Sequence, residues 1–208
     1  MQVMSTLTRM AQYRTPTQTT VPVSRTRPHP WTWMALAGYL GVVIALTCLK
    51  AWFAIGLLWK PENQRVREVQ LNPFSIITGA STPFNAAFDI LGNVALFVPL
   101  GLLLMTVTRR AGTSVAVAAG LSLVIEISQY LFAVGRTDIT DLICNTAGAI
   151  TGVLLAGLFL RQSPQVARGW TVAATVTVLL AVVSFAILVV IGPSLVGEVI
   201  PVDEGPLR

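Results

Sequence analysis

The chain has 208 residues, of which 54% are hydrophobic and 11% are charged, with a formal net charge of +5. Soluble domains carry roughly 25% charged residues, so this composition leaves too little polar surface for a water-soluble globule and indicates an integral membrane protein. Basic residues outnumber acidic ones by 14 to 9, but no DNA- or RNA-binding motif accompanies them, and we expect no nucleic-acid partner.

Residues 1–30 form a basic segment before the first apolar block. They contain four arginines, four prolines, many threonines and no acidic residue. This composition predicts a disordered cytoplasmic tail that contacts anionic lipid headgroups. His29, the only histidine, is interpreted as a solvated tail residue, and no cleavable signal peptide is expected.

Five apolar blocks follow the tail, at 31–49, 88–108, 114–132, 140–160 and 170–191. About 20 helical residues cross a ~30 Å hydrocarbon core, so each block is long enough to span a membrane. We predict an all-α, polytopic membrane helix bundle of about five transmembrane helices over 31–192, with a short C-terminal tail at 193–208. The long connection, 60–87, contains an amphipathic segment from Val66 to Phe74.

The distribution of lysine and arginine predicts the orientation of the bundle. The tail, the turn at Arg109 and the loop after Arg161 carry eight basic residues, whereas the opposite side carries five. Because cytoplasmic loops are enriched in basic residues, we predict a cytoplasmic N-terminus in a bacterial cytoplasmic membrane, with the C-terminus outside.

Eight polar residues interrupt or border the second, third and fourth blocks: Asp89, Asn93, Glu126, Gln129, Arg136, Asp138, Asp141 and Asn145. A charged side chain at mid-bilayer costs roughly 2.5–3.5 kcal/mol, so such residues usually face other helices and serve a function. Since consecutive spans cross in opposite directions, all eight lie at the membrane face opposite the basic tail. We expect them to form one outward-opening polar pocket that binds a ligand.

Each of these residues also has a purely structural interpretation. Asp89 and Asp138 are candidate N-caps of their helices. Gln129 and Asn145 are candidate interhelical hydrogen-bond partners, and Gly148 and Gly152 form a small-xxx-small face that permits close helix contact. Glu126 is the least easily explained, and an ion pair with Arg136 is its structural alternative.

Three motifs resemble the VanZ-like family. They are residues 88–101 (FDILGNVALFVPLG), 126–129 (EISQ) and 135–148 (GRTDITDLICNTAG), preceded by Leu71-Asn72-Pro73-Phe74. Together they place the family core at about 71–160. The family is named for a membrane protein associated with resistance to the glycopeptide teicoplanin, so the resemblance implies a multi-pass bacterial membrane protein linked to the cell envelope.

Three functions follow as hypotheses. The first is a binding protein for a lipid-linked cell-wall precursor or another amphiphile, in which Arg136 binds a phosphate or carboxylate and Glu126 and Asp141 orient it. The second is a membrane enzyme with Glu126, Asp138 and Asp141 as candidate catalytic carboxylates. The third is an ion-coupled transporter that uses Glu126.

No cofactor is expected under the binding hypothesis. The enzyme hypothesis includes Mg²⁺ or Ca²⁺ held by Asp89, Asp138, Asp141 and Asn145, since these cations prefer oxygen ligands. Cys48 and Cys144 lie in apolar segments, and both are interpreted as buried hydrophobic residues rather than as a disulfide.

Overall fold

A computed structural model describes residues 28–49, 67–73 and 83–195. Within these ranges the chain forms five long helices and two short strands: α1 (Pro30–Cys48), β1 (Arg67–Gln70), α2 (Pro83–Thr108), α3 (Ala111–Phe132), β2 (Gly135–Asp138), α4 (Ile139–Leu160) and α5 (Pro164–Leu195). All five helices are long and apolar enough to cross a membrane, which confirms the predicted all-α membrane bundle.

The prediction of a disordered tail at 1–30 falls mostly on residues outside the described ranges. His29 lies within them and is exposed, but its Nδ1 accepts a hydrogen bond of 3.4 Å from the amide of Trp31. It therefore caps the start of α1, where Pro30 occupies the first turn.

Two helices begin five or more residues before the predicted blocks. The second block was expected to begin at residue 88, but α2 begins at Pro83, and α5 begins at Pro164 rather than at 170. The first turn of a helix tolerates proline because the missing N–H has no intrahelical acceptor there. The apolar blocks therefore locate the membrane core of each helix, while prolines mark where two of the helices begin.

Helix α2 lies at the centre of the bundle. Its side chains Phe97, Leu100 and Leu103 are completely buried. They belong to one core cluster with residues of all four other helices, including Tyr39 of α1 and Val178 of α5. The outer faces are rich in exposed leucine, isoleucine and valine, as expected for helices surrounded by lipid.

Helices α2 and α4 pack with their backbones in close contact along a line that we call the glycine seam, formed by Gly101, Gly148 and Gly152. A Cβ atom at Gly148 would overlap the carbonyl of Val94, and one at Gly152 would overlap the carbonyl of Val98. At Gly101 the obstruction is the carbonyl of Ala149. Only glycine permits this approach, which confirms the helix contact predicted from the spacing of Gly148 and Gly152.

The two strands form a parallel sheet that the sequence did not predict. Glu68 pairs with Arg136 and Gln70 pairs with Asp138 in the register of β1 and β2. The segment 135–138 was expected to be a simple turn between two helices. We call this side of the molecule the strand end: it contains β1, β2, the last turns of α1 and α3, and the first turns of α2 and α4.

Candidate functional site at the strand end

A carboxylate at the end of α3 anchors β2. Glu126 is 5% exposed, and its Oε2 accepts a 2.8 Å hydrogen bond from the amide of Asp138. The hydroxyl of Thr137 donates to the backbone carbonyl of Glu126 at 3.0 Å. These two contacts attach the strand to the helix that precedes it. The Glu126 carboxyl therefore holds the end of β2 against α3.

Asp138 connects the strand to α4. It is the N-cap residue of α4, and its Oδ1 accepts a 2.8 Å hydrogen bond from the amide of Thr140. This confirms the capping role predicted for Asp138 and satisfies one of the first four helical amides, which have no intrahelical acceptor. Glu126, β2 and the start of α4 therefore form one continuous hydrogen-bonded unit.

A second polar contact joins α2 to α4. The side-chain amide of Asn93 donates to Oδ1 of Asp141, which lies in the first turn of α4. Both residues are half-buried. The sequence placed these two side chains at the same membrane face, and the structure brings them into direct contact, with Asp141 about two turns before Gly148 of the glycine seam.

Two buried amides join helices in the manner expected of interhelical hydrogen bonds. Asn145 Nδ2 donates to the hydroxyl of Ser122 at 2.9 Å, linking α4 to α3. Gln129 Nε2 donates to the backbone carbonyl of Thr47 at 3.1 Å, linking α3 to α1. These contacts confirm the structural role considered for both amides.

The carbonyl oxygens of the same two amides have no partner among the described residues. Gln129 and Asn145 are 4% and 2% exposed, and neither Gln129 Oε1 nor Asn145 Oδ1 accepts a hydrogen bond from the described part of the chain. Buried polar atoms are usually satisfied by protein or by ordered water. The inner part of the strand end therefore has hydrogen-bond acceptors available for a water molecule or a ligand donor.

Arg136 has a different position from the one expected. Its Nε donates to Oε2 of Glu68 at 3.0 Å, and the two side chains are 54% and 47% exposed. The alternative of an ion pair between Glu126 and Arg136 is wrong, because Glu126 binds the Asp138 amide on the inner side of β2 while Arg136 points outward. The parallel pairing of the two strands places Glu68 directly beside Arg136.

Asp89 is exposed in the second turn of α2. Its candidate role as an N-cap is wrong, because the helix begins six residues earlier at Pro83. The eight residues thus separate into an inner group (Asn93, Glu126, Gln129, Asp138, Asp141 and Asn145) and an outer pair (Asp89 and Arg136).

Over the described ranges, no three or more histidine, cysteine, aspartate or glutamate side chains group closely enough to hold a metal ion. Asn145 and Asp138 are each committed to a structural hydrogen bond. Cys48 and Cys144 are free thiols, as the sequence predicted.

Three partners of the site were not identified from sequence. Ser122 precedes Glu126 by four residues and Gln129 by seven, so its position on the same helical face was an available signal. Thr47 contributes only a backbone carbonyl, which no sequence pattern reveals. Glu68 lies in a segment with no recognisable strand pattern, and its role depends on the pairing of β1 with β2.

Comparisons with known proteins identify the family of the chain. The VanZ/LLP1 family model matches residues 36–160, which include most of α1, both strands and α2 through α4. Protein VanZ of Enterococcus faecium is 38% identical over 125 residues, corresponding to 59% of this chain and 71% of that protein. No solved structure is significantly similar.

Proposed function

Because the chain belongs to the VanZ/LLP1 family, we propose that it is a cell-envelope membrane protein whose strand end binds an anionic amphiphile, such as a lipid-linked cell-wall precursor. Arg136 binds the phosphate or carboxylate of this ligand. The inner group of polar residues holds Arg136 and its strand in place and does not itself form the anion site.

The guanidinium of Arg136 is the observation that carries the proposal. Its Nε is engaged by Glu68, and no other side-chain hydrogen bond joins the guanidinium to the described residues. The two terminal amino groups are therefore available to a ligand on a side chain that is 54% exposed. A guanidinium presents parallel N–H donors that match the oxygens of phosphate or carboxylate, and Glu68 sets its orientation.

The rest of the strand end supports this role by holding β2 rigid. Flexible side chains lose conformational freedom when they bind a ligand, so a prealigned anchor binds more tightly. Arg136 is prealigned by the backbone pairing of β2 with β1 and by the attachment of the adjacent Asp138 amide to Glu126. This explains why a buried carboxylate is placed at the end of α3.

The orientation of the bundle completes the proposal. With the arginine-rich tail and the Arg109 turn on the cytoplasmic side, the strand end faces outward, where envelope precursors are used.

The test of this orientation is a cysteine introduced as Arg136→Cys in a chain whose two native cysteines are replaced by alanine. An impermeant maleimide should label it in intact cells. Labelling only after the cells are broken would contradict this orientation.

A binding measurement tests the anchor itself. The full chain is reconstituted in lipid nanodiscs, and a fluorescent polyprenyl phosphate is the probe, with the same polyprenyl alcohol as the uncharged comparison. We expect the phosphate to bind more tightly than the alcohol. Arg136→Gln should weaken phosphate binding about tenfold or more, as expected for loss of a charge-assisted hydrogen bond.

Arg161→Gln is the matched control, since Arg161 is an exposed arginine at the C-terminal end of α4, away from the strand end. It should leave the affinity for polyprenyl phosphate unchanged. An equal loss of affinity in the two variants would show that phosphate binding depends only on the net charge of the protein, and the proposed anchor would be wrong. Arg136→Lys should be intermediate, because lysine keeps the charge but loses the bidentate geometry.

The enzyme hypothesis has weaker support. It assigns acid–base roles to Glu126, Asp138 and Asp141, yet these carboxylates accept hydrogen bonds from the Asp138 amide, the Thr140 amide and the Asn93 side chain. Such contacts fit residues that position β2 and α4. No observation favours the transporter hypothesis over the binding role.

A further inference from the structure

A groove between α1 and α3 lies inside the membrane-spanning part of the bundle and reaches the strand end. Its volume is about 310 Å³. The residues that line it include Ile44, Cys48, Leu121, Ile125, Ser128 and Phe132. This places it near the lower limit of the ~300–1,000 Å³ that ligand sites occupy.

The wall of the groove suits hydrocarbon. Ser128 supplies the only hydroxyl among the described lining residues, and it already donates to the backbone carbonyl of Val124 at 2.7 Å within its own helix. The remaining side chains are apolar apart from the thiol of Cys48. The described lining residues therefore offer no free hydroxyl donor to a bound molecule, and the groove selects it by shape and apolar contact.

The groove opens sideways toward lipid. Three of its lining residues, Ile44, Val124 and Phe132, are 42%, 58% and 71% exposed on the outer surface. At its other end it includes Val134, two residues before Arg136. At 3.3 Å per extended residue the two positions are about 7 Å apart along the chain. The hydrocarbon wall thus ends two residues before Arg136 in the chain.

We propose that this groove holds one hydrocarbon chain of an anionic lipid whose headgroup is bound at Arg136. The inference deepens the proposed function and rests on it for the headgroup. Charge complementarity favours an anionic headgroup, because Arg136 lies two residues along the chain from Val134 of the groove and its guanidinium keeps two amino groups free of the described residues.

The apolar wall of the groove and its course along α3 fit a hydrocarbon chain. A single extended hydrocarbon chain is narrow enough to lie along the face formed by Leu121, Ile125, Ser128 and Phe132, whose spacing follows one side of α3.

The test is photolabelling of the full chain in nanodiscs of phosphatidylcholine. The probe is phosphatidylglycerol with a diazirine in one acyl chain, and the comparison is a phosphatidylcholine with the same labelled chain. Crosslinked residues are identified by mass spectrometry of peptides. We expect phosphatidylglycerol adducts to concentrate on residues 44–49 and 121–134 rather than on the exposed faces of α5.

Filling the groove should abolish this preference. Ser128→Trp places an indole in the groove, and Ile127→Trp is the matched control on the adjacent position, which is 49% exposed and does not line it. We expect Ser128→Trp to reduce the groove adducts about fivefold, the ratio that ~1 kcal/mol produces, and Ile127→Trp to leave them unchanged. Ser128→Leu serves as a smaller change if the tryptophan variant yields too little folded protein.

The outcomes separate the groove from the proposed function. Equal adduct yields in Ser128→Trp and Ile127→Trp would overturn the groove, even if polyprenyl phosphate still depends on Arg136. Groove adducts that persist in Arg136→Gln, with no preference for phosphatidylglycerol, would support the chain site but contradict the anionic anchor. Adducts unchanged in Ser128→Trp, accompanied by a change in oligomer mass, would show that the face is a contact between copies, and the lipid-chain site would be wrong.

Discussion

Helices α2 and α4 meet through two regions of opposite character. Along the glycine seam they are in backbone contact, and any Cβ atom at Gly148 or Gly152 would overlap a carbonyl of α2. At the strand end the same two helices meet through Asn93 and Asp141, side chains that hydrogen-bond and remain half-buried. The seam has no space for a further side chain. The strand end has hydrogen-bond acceptors and donors that bind no described residue.

This difference assigns helix packing to the glycine seam and polar contacts to the strand end. In a bilayer, lipid is as apolar as a leucine side chain, so helices associate through close packing and interhelical hydrogen bonds. The glycine seam provides the packing and thereby holds the polar first turn of α4 beside α2. We therefore expect substitutions in the seam to affect folding most, and substitutions toward the outside of the strand end to affect binding most.

The largest effect is expected in the seam. Gly152→Leu should lower the free energy of unfolding by about 3 kcal/mol or more, because the side chain would overlap the Val98 carbonyl and force α2 and α4 apart. Thermal unfolding in detergent measures this. Gly157→Ala is the control on the same helix, since a Cβ there meets nothing within 4 Å. Similar destabilisation by both would contradict the seam as a steric contact.

The next effect is expected at the attachment of β2. Glu126→Ala removes the acceptor of the Asp138 amide and should destabilise the protein by about 1–3 kcal/mol, while Glu126→Gln keeps a carbonyl acceptor and should cost less. Hydrogen–deuterium exchange at the Asp138 amide reports the contact directly. Faster exchange in Glu126→Ala than in Glu126→Gln is expected, and unchanged exchange in both would rule out this attachment.

A smaller effect is expected at Gln129. Gln129→Met loses the hydrogen bond to the Thr47 carbonyl but also removes a buried acceptor that has no partner in the ranges that the structure describes. These changes oppose each other, so the free energy of unfolding should change by less than about 1 kcal/mol. A loss well above this value, measured by thermal unfolding, would indicate that Oε1 binds a water molecule or ligand essential to the fold.

The smallest effect on stability is expected at the outer ion pair. Arg136→Gln and Glu68→Gln should each change the free energy of unfolding by less than about 1 kcal/mol, because both side chains are half-exposed and solvent screens the pair. A double-mutant cycle should give a coupling in the same range. A coupling above 2 kcal/mol would mean that the pair is buried when the protein lies in lipid.

Much of the candidate site was predictable because helical periodicity and alternating spans are local rules. Glu126 and Gln129 share a face and Asp138 caps α4, as the spacing predicted. Asn93 and Asp141 lie at the same end of the bundle, as the topology predicted, but their direct contact was not predicted. The partner of Arg136 was not predictable. It depends on a parallel pairing between strands separated by two helices, with Glu68 opposite Arg136. Parallel pairing is non-local, and four-residue strands give little pattern to recognise.

By itself, the sequence determined the number of spans, the gathering of the polar residues at one membrane face and membership of the VanZ/LLP1 family, because hydrophobic length, helical period and motif order are properties of the chain alone. Only the tertiary structure decided which carboxylate meets Arg136, that the amide oxygens of Gln129 and Asn145 lack a partner among the described residues, and where an apolar groove lies. These depend on distances between side chains from separate helices and strands, which packing sets and sequence spacing does not.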